Sequence, residues 1–123
     1  MHAINKFFAD LRAFWRPHQT RTGFFASSFD PFPHPGTVAM LRTALDRGHC
    51  DAIILAMHVD PSVENPNKPK PYLSPDERRV MLEQIHGVVA VVQYETEAEL
   101  RDLLIRYAPD VRLLGSEYVG KPF

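Results

Sequence analysis

The sequence predicts an α/β fold, a Rossmann-like parallel sheet with helices on both faces, preceded by an N-terminal helix. Two observations carry that prediction. Strand-length apolar runs near 23–28, 51–58, 88–93 and 111–114 alternate with helix-patterned segments, giving the order β-α-β-α-β-α-β. The second run, with Ala52-Ile53-Ile54-Leu55-Ala56-Met57 at its centre, is apolar without a break, as in a strand covered on both faces.

Each element has a local reason. Ile4, Phe7, Phe8, Leu11, Phe14 and Trp15 fall at helical spacings over residues 3–15, and Pro17 stops the run. This aromatic face is expected to pack on the domain or on a second copy of the chain, which makes a homodimer the expected assembly. The chain is thus read as an N-terminal extension, 1–22, and an α/β domain, 23–123. Gly23–Ser28 is the first strand. A helix is expected from Thr37 to about residue 47, with Val38, Leu41 and Leu45 on one side and Gly48 as its C-terminal stop. After the second strand comes a loop rich in Pro and Asn, 59–73. Ser74-Pro75-Asp76-Glu77 combines a cap, a first-turn proline and a glutamate three residues after the cap, so a helix starts there and runs to about Ile85. Val88–Gln93 is the third strand. Thr96 and Glu99 repeat the capping pattern before a helix to about Tyr107, and Val111–Leu114 is the fourth strand.

Composition limits the function. The 123 residues are 45% hydrophobic and 24% charged with net charge −1, ordinary for a single soluble domain and without the excess of one sign that marks nucleic-acid or membrane binders. The single Cys50 forms no internal disulfide and no cysteine metal cage. His2, His18, His49 and His86 lack metal-ligand spacing. No apolar run approaches the ~20 residues of a membrane span. Lys6, Asp10, Arg12 and Arg16 break up any signal-peptide core, so a cytoplasmic location is expected.

The informative stretch is Gly23–Leu45. An apolar run stops at Phe29-Asp30, a Pro-rich turn holding His34 follows, and Gly36-Thr37 opens a helix. Strand, tight turn and helix set unpaired amides and the positive end of a helix dipole where a phosphate can lie. His34 can donate to a phosphoryl oxygen as a neutral or a charged ring. In parallel sheets ligands bind beyond the carboxyl ends of the strands where the strand order reverses. The loops 29–37, 58–73 and 115–123 all follow such ends.

These residues resemble the HxGH nucleotidyltransferases, in particular the glycerol-3-phosphate cytidylyltransferase-like group. Phe29-Asp30 followed by His34-Pro35-Gly36-Thr37 is similar to the family's first-strand motif. Val59-Asp60, Glu77-Arg78 and Leu114-Gly115-Ser116-Glu117-Tyr118 are similar to its later motifs, in the right order. The resemblance covers roughly residues 23–123. It implies transfer of a nucleotidyl group, CMP before AMP, from a nucleoside triphosphate with Mg2+ to a small phosphorylated acceptor, with release of pyrophosphate. It implies catalytic roles for His34, Thr37, Lys68 and Arg78. It implies nucleotide contacts from Ser27, Phe29, Asp30, Gly36, Lys70, Asp60, Gly115 and Glu117, with the base or ribose against the end of the fourth strand at Gly115. Such chemistry needs no protein nucleophile; it needs reactants in line and donors aimed at developing phosphoryl charge.

The chain also departs from the pattern. Thr37 stands where the family has its second histidine, three residues rather than two separate Asp30 from His34, and Ser116-Glu117 replaces an acidic pair. A catalytically weakened nucleotide-binding protein on the same fold is therefore the alternative function. Among lesser candidates, Asp60 is either a turn former or a ligand, and His58 ends its strand against solvent. Glu95, Glu97 and Glu99 are accounted for by a helix dipole.

Overall fold

The structure is a computed structural model that describes residues 20–114. The expected N-terminal helix, Gly115 and Glu117 lie outside the described residues. In chain order the elements are β1 (Thr22–Ser27), α1 (Pro35–Asp46), β2 (Ala52–His58), α2 (Pro75–Leu82), β3 (Val88–Tyr94), α3 (Glu97–Tyr107) and β4 (Val111–Arg112). The four strands form one parallel sheet in the order β3-β2-β1-β4. The order reverses between β1 and β4, so the crevice favoured for ligands opens beyond their carboxyl ends.

Strand β2 is buried along its whole length and separates two cores. Ile53, Leu55 and Met57 pack with Phe25, Leu41, Ala44 and Leu82, which places α1 and α2 on that face. Ile54 and Ala56 pack with Phe24, Tyr94 and Leu100, which places α3 on the other. Side chains of a strand alternate between faces, so His58 shares the α3 face with Ile54 and Ala56.

Helix α1 begins two residues earlier than the pattern suggests. His34 is its cap, in extended conformation, and Pro35 occupies the first turn, where its missing N–H is no loss. Thr37 is therefore inside the first turn and does not cap it. Helix α2 has the full reciprocal capping box of Ser74 and Glu77. It ends at Leu82 rather than Ile85, because Gln84 and Ile85 make tighter bonds back to Met81 and Leu82. Strand β4 pairs at Val111 and Arg112, one further bond from Leu113 N–H to the Phe24 carbonyl ends the pairing, and Leu114 does not extend the strand.

Gly87 turns the chain from α2 into β3 with φ +85°, and its carbonyl accepts from Ile53 N–H at 2.9 Å. A β-carbon there would collide with the Leu45 side chain. Gly87→Ala should therefore combine backbone strain with overpacking and lower unfolding stability by about 1–3 kcal/mol. Urea denaturation followed by circular dichroism measures it.

Candidate active site

A cleft of about 930 Å³ opens over the carboxyl end of the sheet. Its walls include Ser27 and Ser28 after β1, His34, Gly36 and Thr37 at the start of α1, and His58 and Tyr94 at the ends of β2 and β3. Lys68 from the 59–73 loop, Glu97 of α3 and Leu114 beyond β4 complete it.

The chain reaches this arrangement through a sharp exit from β1. Phe29 adopts φ +53°, in the left-handed region, and its ring turns into the core, 4% exposed and edge-on to Phe25 at 5.8 Å. The Phe29 ring is thus an anchor beneath the loop and does not line the cleft. Asp30 comes next and faces the cleft, yet both its oxygens are engaged. They accept from Tyr72 N–H and Leu73 N–H at 2.7 Å each. The carboxylate fastens the end of the 59–73 loop to the β1 exit while it lines the cleft.

His34 folds back on its own helix. Its Nδ1 accepts from Gly36 N–H at 2.9 Å, so in the neutral ring the proton sits on Nε2, which is left to donate. A β-carbon at residue 36 would stand 3.1 Å from Nδ1, so glycine is what lets the ring close on the cap. Pro35 has no N–H, and Gly36 N–H is engaged by His34. The first turn therefore offers the cleft the Thr37 amide and hydroxyl rather than a ring of three amides.

Arg78 is the largest departure from expectation. It is 1% exposed and makes no contact with the cleft. Nη1 donates to the carbonyls of Ser28 and His58 at 2.9 Å, and Nη2 to the carbonyl of Val59 at 2.7 Å. Burial pushes the guanidinium below its ordinary value, while the Asp30 and Asp60 carboxylates push it back up. Its planar fork thus joins the ends of β1 and β2 and does not reach phosphate. The adjacent Arg79 lies along the sheet edge, donating to the Val91 carbonyl at 2.9 Å.

The two loop lysines part ways. Lys68 lines the cleft and Lys70 does not. Asp60 forms a turn: Ser62 Oγ at 2.6 Å and Ser62 N–H at 2.9 Å both donate to it, and those bonds hold its carboxyl below the usual value of 3.8. It is absent from the cleft wall. His58 and Glu97, which the sequence pattern assigned to a strand end and a helix dipole, are both in that wall. The signal for His58 was its position: it ends a strand whose neighbours also end at the cleft.

Ser27, Asp30, His34, Gly36, Thr37 and Lys68 therefore come together, whereas Phe29, Asp60, Lys70 and Arg78 do not. The cytidylyltransferase-like family model matches residues 24–121. The chain belongs to that family. Among curated proteins it is similar to the bifunctional protein HldE of Gluconacetobacter diazotrophicus, with 36% identity over 113 residues, 89% of this chain and 22% of the relative. It is also similar to HldE of Rhodopseudomonas palustris BisB18, with 33% identity over 105 residues, 85% and 21%. The chain spans about a fifth of the length of these relatives. A crystal structure described as the lipopolysaccharide core biosynthesis protein from Thermoplasma volcanium matches with TM-score 0.67 and 19% identity, covering 85% of this chain and 80% of that one, which shows the shared fold.

Two substitutions separate framework from site. Arg78→Lys cannot span three carbonyls with one compact ammonium and should lower stability by about 2–4 kcal/mol in chemical denaturation. Asp30→Ala should cost less, about 1–3 kcal/mol. It should also speed limited proteolysis within 62–71, because the loop loses its fastening while the sheet keeps its own.

Proposed function

We propose that this domain is a nucleotidyltransferase. It would move a nucleotidyl unit, CMP or AMP, from a nucleoside triphosphate to a small phosphorylated acceptor. The observation that carries the reading is the meeting of His34, Thr37 and Lys68 in one cleft at the strand-order reversal of a cytidylyltransferase-like chain. The triphosphate would lie along the start of α1, with its ribose and base over the end of β4. An acceptor phosphate oxygen attacks the α-phosphorus, the bond to the β-phosphate oxygen breaks, and pyrophosphate leaves with the electron pair.

The residues contribute position and charge. His34 Nε2–H and the Thr37 hydroxyl and amide donate to phosphoryl oxygens. The Lys68 ammonium offsets charge on the leaving pyrophosphate. Such donors act by being already oriented when charge develops. Mg2+ would arrive on the triphosphate as part of the substrate. Such an ion takes oxygen ligands and keeps several waters, bound through substrate phosphates.

The alternative, a nucleotide-binding protein with weakened catalysis, is favoured by one observation, Thr37 in place of a second imidazole. Pyrophosphate release decides between them. With CTP or ATP, Mg2+ and a panel of phosphorylated polyols and sugars, turnover is expected. Its absence alongside calorimetric nucleotide binding would establish the alternative. His34→Asn keeps a cap but removes the Nε2 donor, and kcat should fall by about 10²–10³. Thr37→His should raise kcat at least about tenfold, part of what one oriented donor supplies.

A further inference from the structure

We propose that His58 is a specificity-determining residue of this cleft, with Nδ1 accepting a hydrogen bond from a hydroxyl of the acceptor; the proposal rests on the nucleotidyl-transfer reading above. The ring is held on two sides. It stacks on Tyr94 with centroids 4.6 Å apart and planes 24° apart. Its Nε2 lies 3.2 Å from the Glu95 carbonyl oxygen, which can only accept, so the hydrogen is on Nε2. In the neutral ring Nδ1 then carries a lone pair.

His58 is 8% exposed and lines the cleft. Among the described residues no group bonds to Nδ1. Among the described residues the sealed side-chain nitrogen without a partner is Arg78 Nε, so Nδ1 retains contact with solvent, and the solvent beside His58 is that of the cleft. A buried imidazole with a fixed tautomer and one open acceptor selects for a donor, because a ligand without one leaves it unpaired.

Topology indicates which substrate meets it. Strand order β3-β2-β1-β4 puts the end of β4 on one side of β1 and His58, at the end of β2, on the other. With ribose and base over β4 and phosphates at α1, the end of β2 is left for the acceptor. Glu97 lines the cleft on the α3 face that His58 shares, and its carboxylate also only accepts. Two acceptors together suit the O–H groups of a polyol or sugar rather than a second anion.

The experiment compares acceptors that differ in hydroxyls. With the full chain, glycerol 3-phosphate, ribitol 5-phosphate and glucose 1-phosphate are each set against propyl phosphate. Wild type should favour at least one of the three. His58→Phe keeps a ring on Tyr94 but has no acceptor. It should raise KM for that substrate about tenfold, the worth of one buried hydrogen bond, and leave KM for the triphosphate as it was. His58→Asn, with a carbonyl to offer, should recover part of the loss. An unchanged acceptor KM in His58→Phe, or an equal rise for propyl phosphate, overturns the proposal.

If no acceptor turns over, nucleotidyl transfer fails and the ¹⁵N spectrum of the wild-type imidazole still decides the role of His58. A shift at Nδ1 with a hydroxylated phosphate, and none with propyl phosphate, supports it. No shift, or the same shift with both, overturns it.

Discussion

The cleft depends on one buried cation. The β1–β2 ladder stops at Ser27 opposite Met57, and the carbonyls beyond it have no strand to accept from. Arg78, delivered by the first turn of α2, donates to three of them: Ser28, His58 and Val59. A guanidinium has the fixed fork needed to serve several oxygens at once, and its charge strengthens each bond. Without it, both strand ends would present unpaired carbonyls to a low-dielectric interior. The arginine therefore fixes the separation of β1 and β2 where the ligand-facing residues leave the sheet. Its Nε stays unpartnered, the cost of a geometry in which three carbonyls take priority.

Carboxylates do the corresponding work around the rim. Asp30 accepts from Tyr72 and Leu73 N–H, Asp60 from Ser62, and Glu64 from Glu97 N–H at 2.9 Å. Glu99 accepts from Glu95 N–H at 2.6 Å. At the opposite end of the sheet Asp51 and Asp110 accept from Arg21 and Thr22 N–H at 2.8 Å. Each is drawn toward backbone dipoles, which satisfies amides that no strand or helix pairs. For the anion-binding role proposed for the cleft this matters electrostatically. Acidic side chains near the mouth have their charge partly offset by amides, so His34 and Lys68 are not opposed by open carboxylates at Asp30 and Asp60.

The elements of the fold were legible because each is specified locally. Ser74-Pro75-Asp76-Glu77 names its own helix start, and an unbroken apolar run names a central strand. The site was legible in position and less so in roles. Asp30 and Arg78 are charged residues at strand ends, and sequence alone does not say whether such a group faces ligand or backbone. Here both bond backbone, Asp30 while lining the cleft, since the strand ends and the loop leave amides and carbonyls that need partners. Phe29 was misplaced because the left-handed turn that swings its ring into the core is invisible in composition. Lys68 and Lys70 were indistinguishable by type; the turn at 65–68, closed by Asn65 carbonyl and side-chain bonds, brings only the first to the cleft wall. His58 ranks as a lesser candidate in the sequence because a lone histidine at a strand end has only its position to mark it.

The extra residue before His34 and the threonine at 37 belong to one physical argument. With three residues between Asp30 and His34, the histidine reaches the cap position of α1, where Nδ1 takes the Gly36 amide. Thr37 lies three positions past that cap, inside the first turn. One imidazole therefore has two duties that require opposite nitrogens: Nδ1 ends the helix, and Nε2 faces outward. These duties reinforce each other, because the bond at Nδ1 fixes the tautomer that makes Nε2 a donor. In the transfer proposed, a ring oriented this way would lose less entropy on meeting a phosphoryl oxygen than a freely rotating one. Thr37 stands where the resembled motif has a second histidine and carries no charge, while the His34 ring is held by the helix it caps. Orientation, rather than the number of imidazoles, is what this version of the motif preserves.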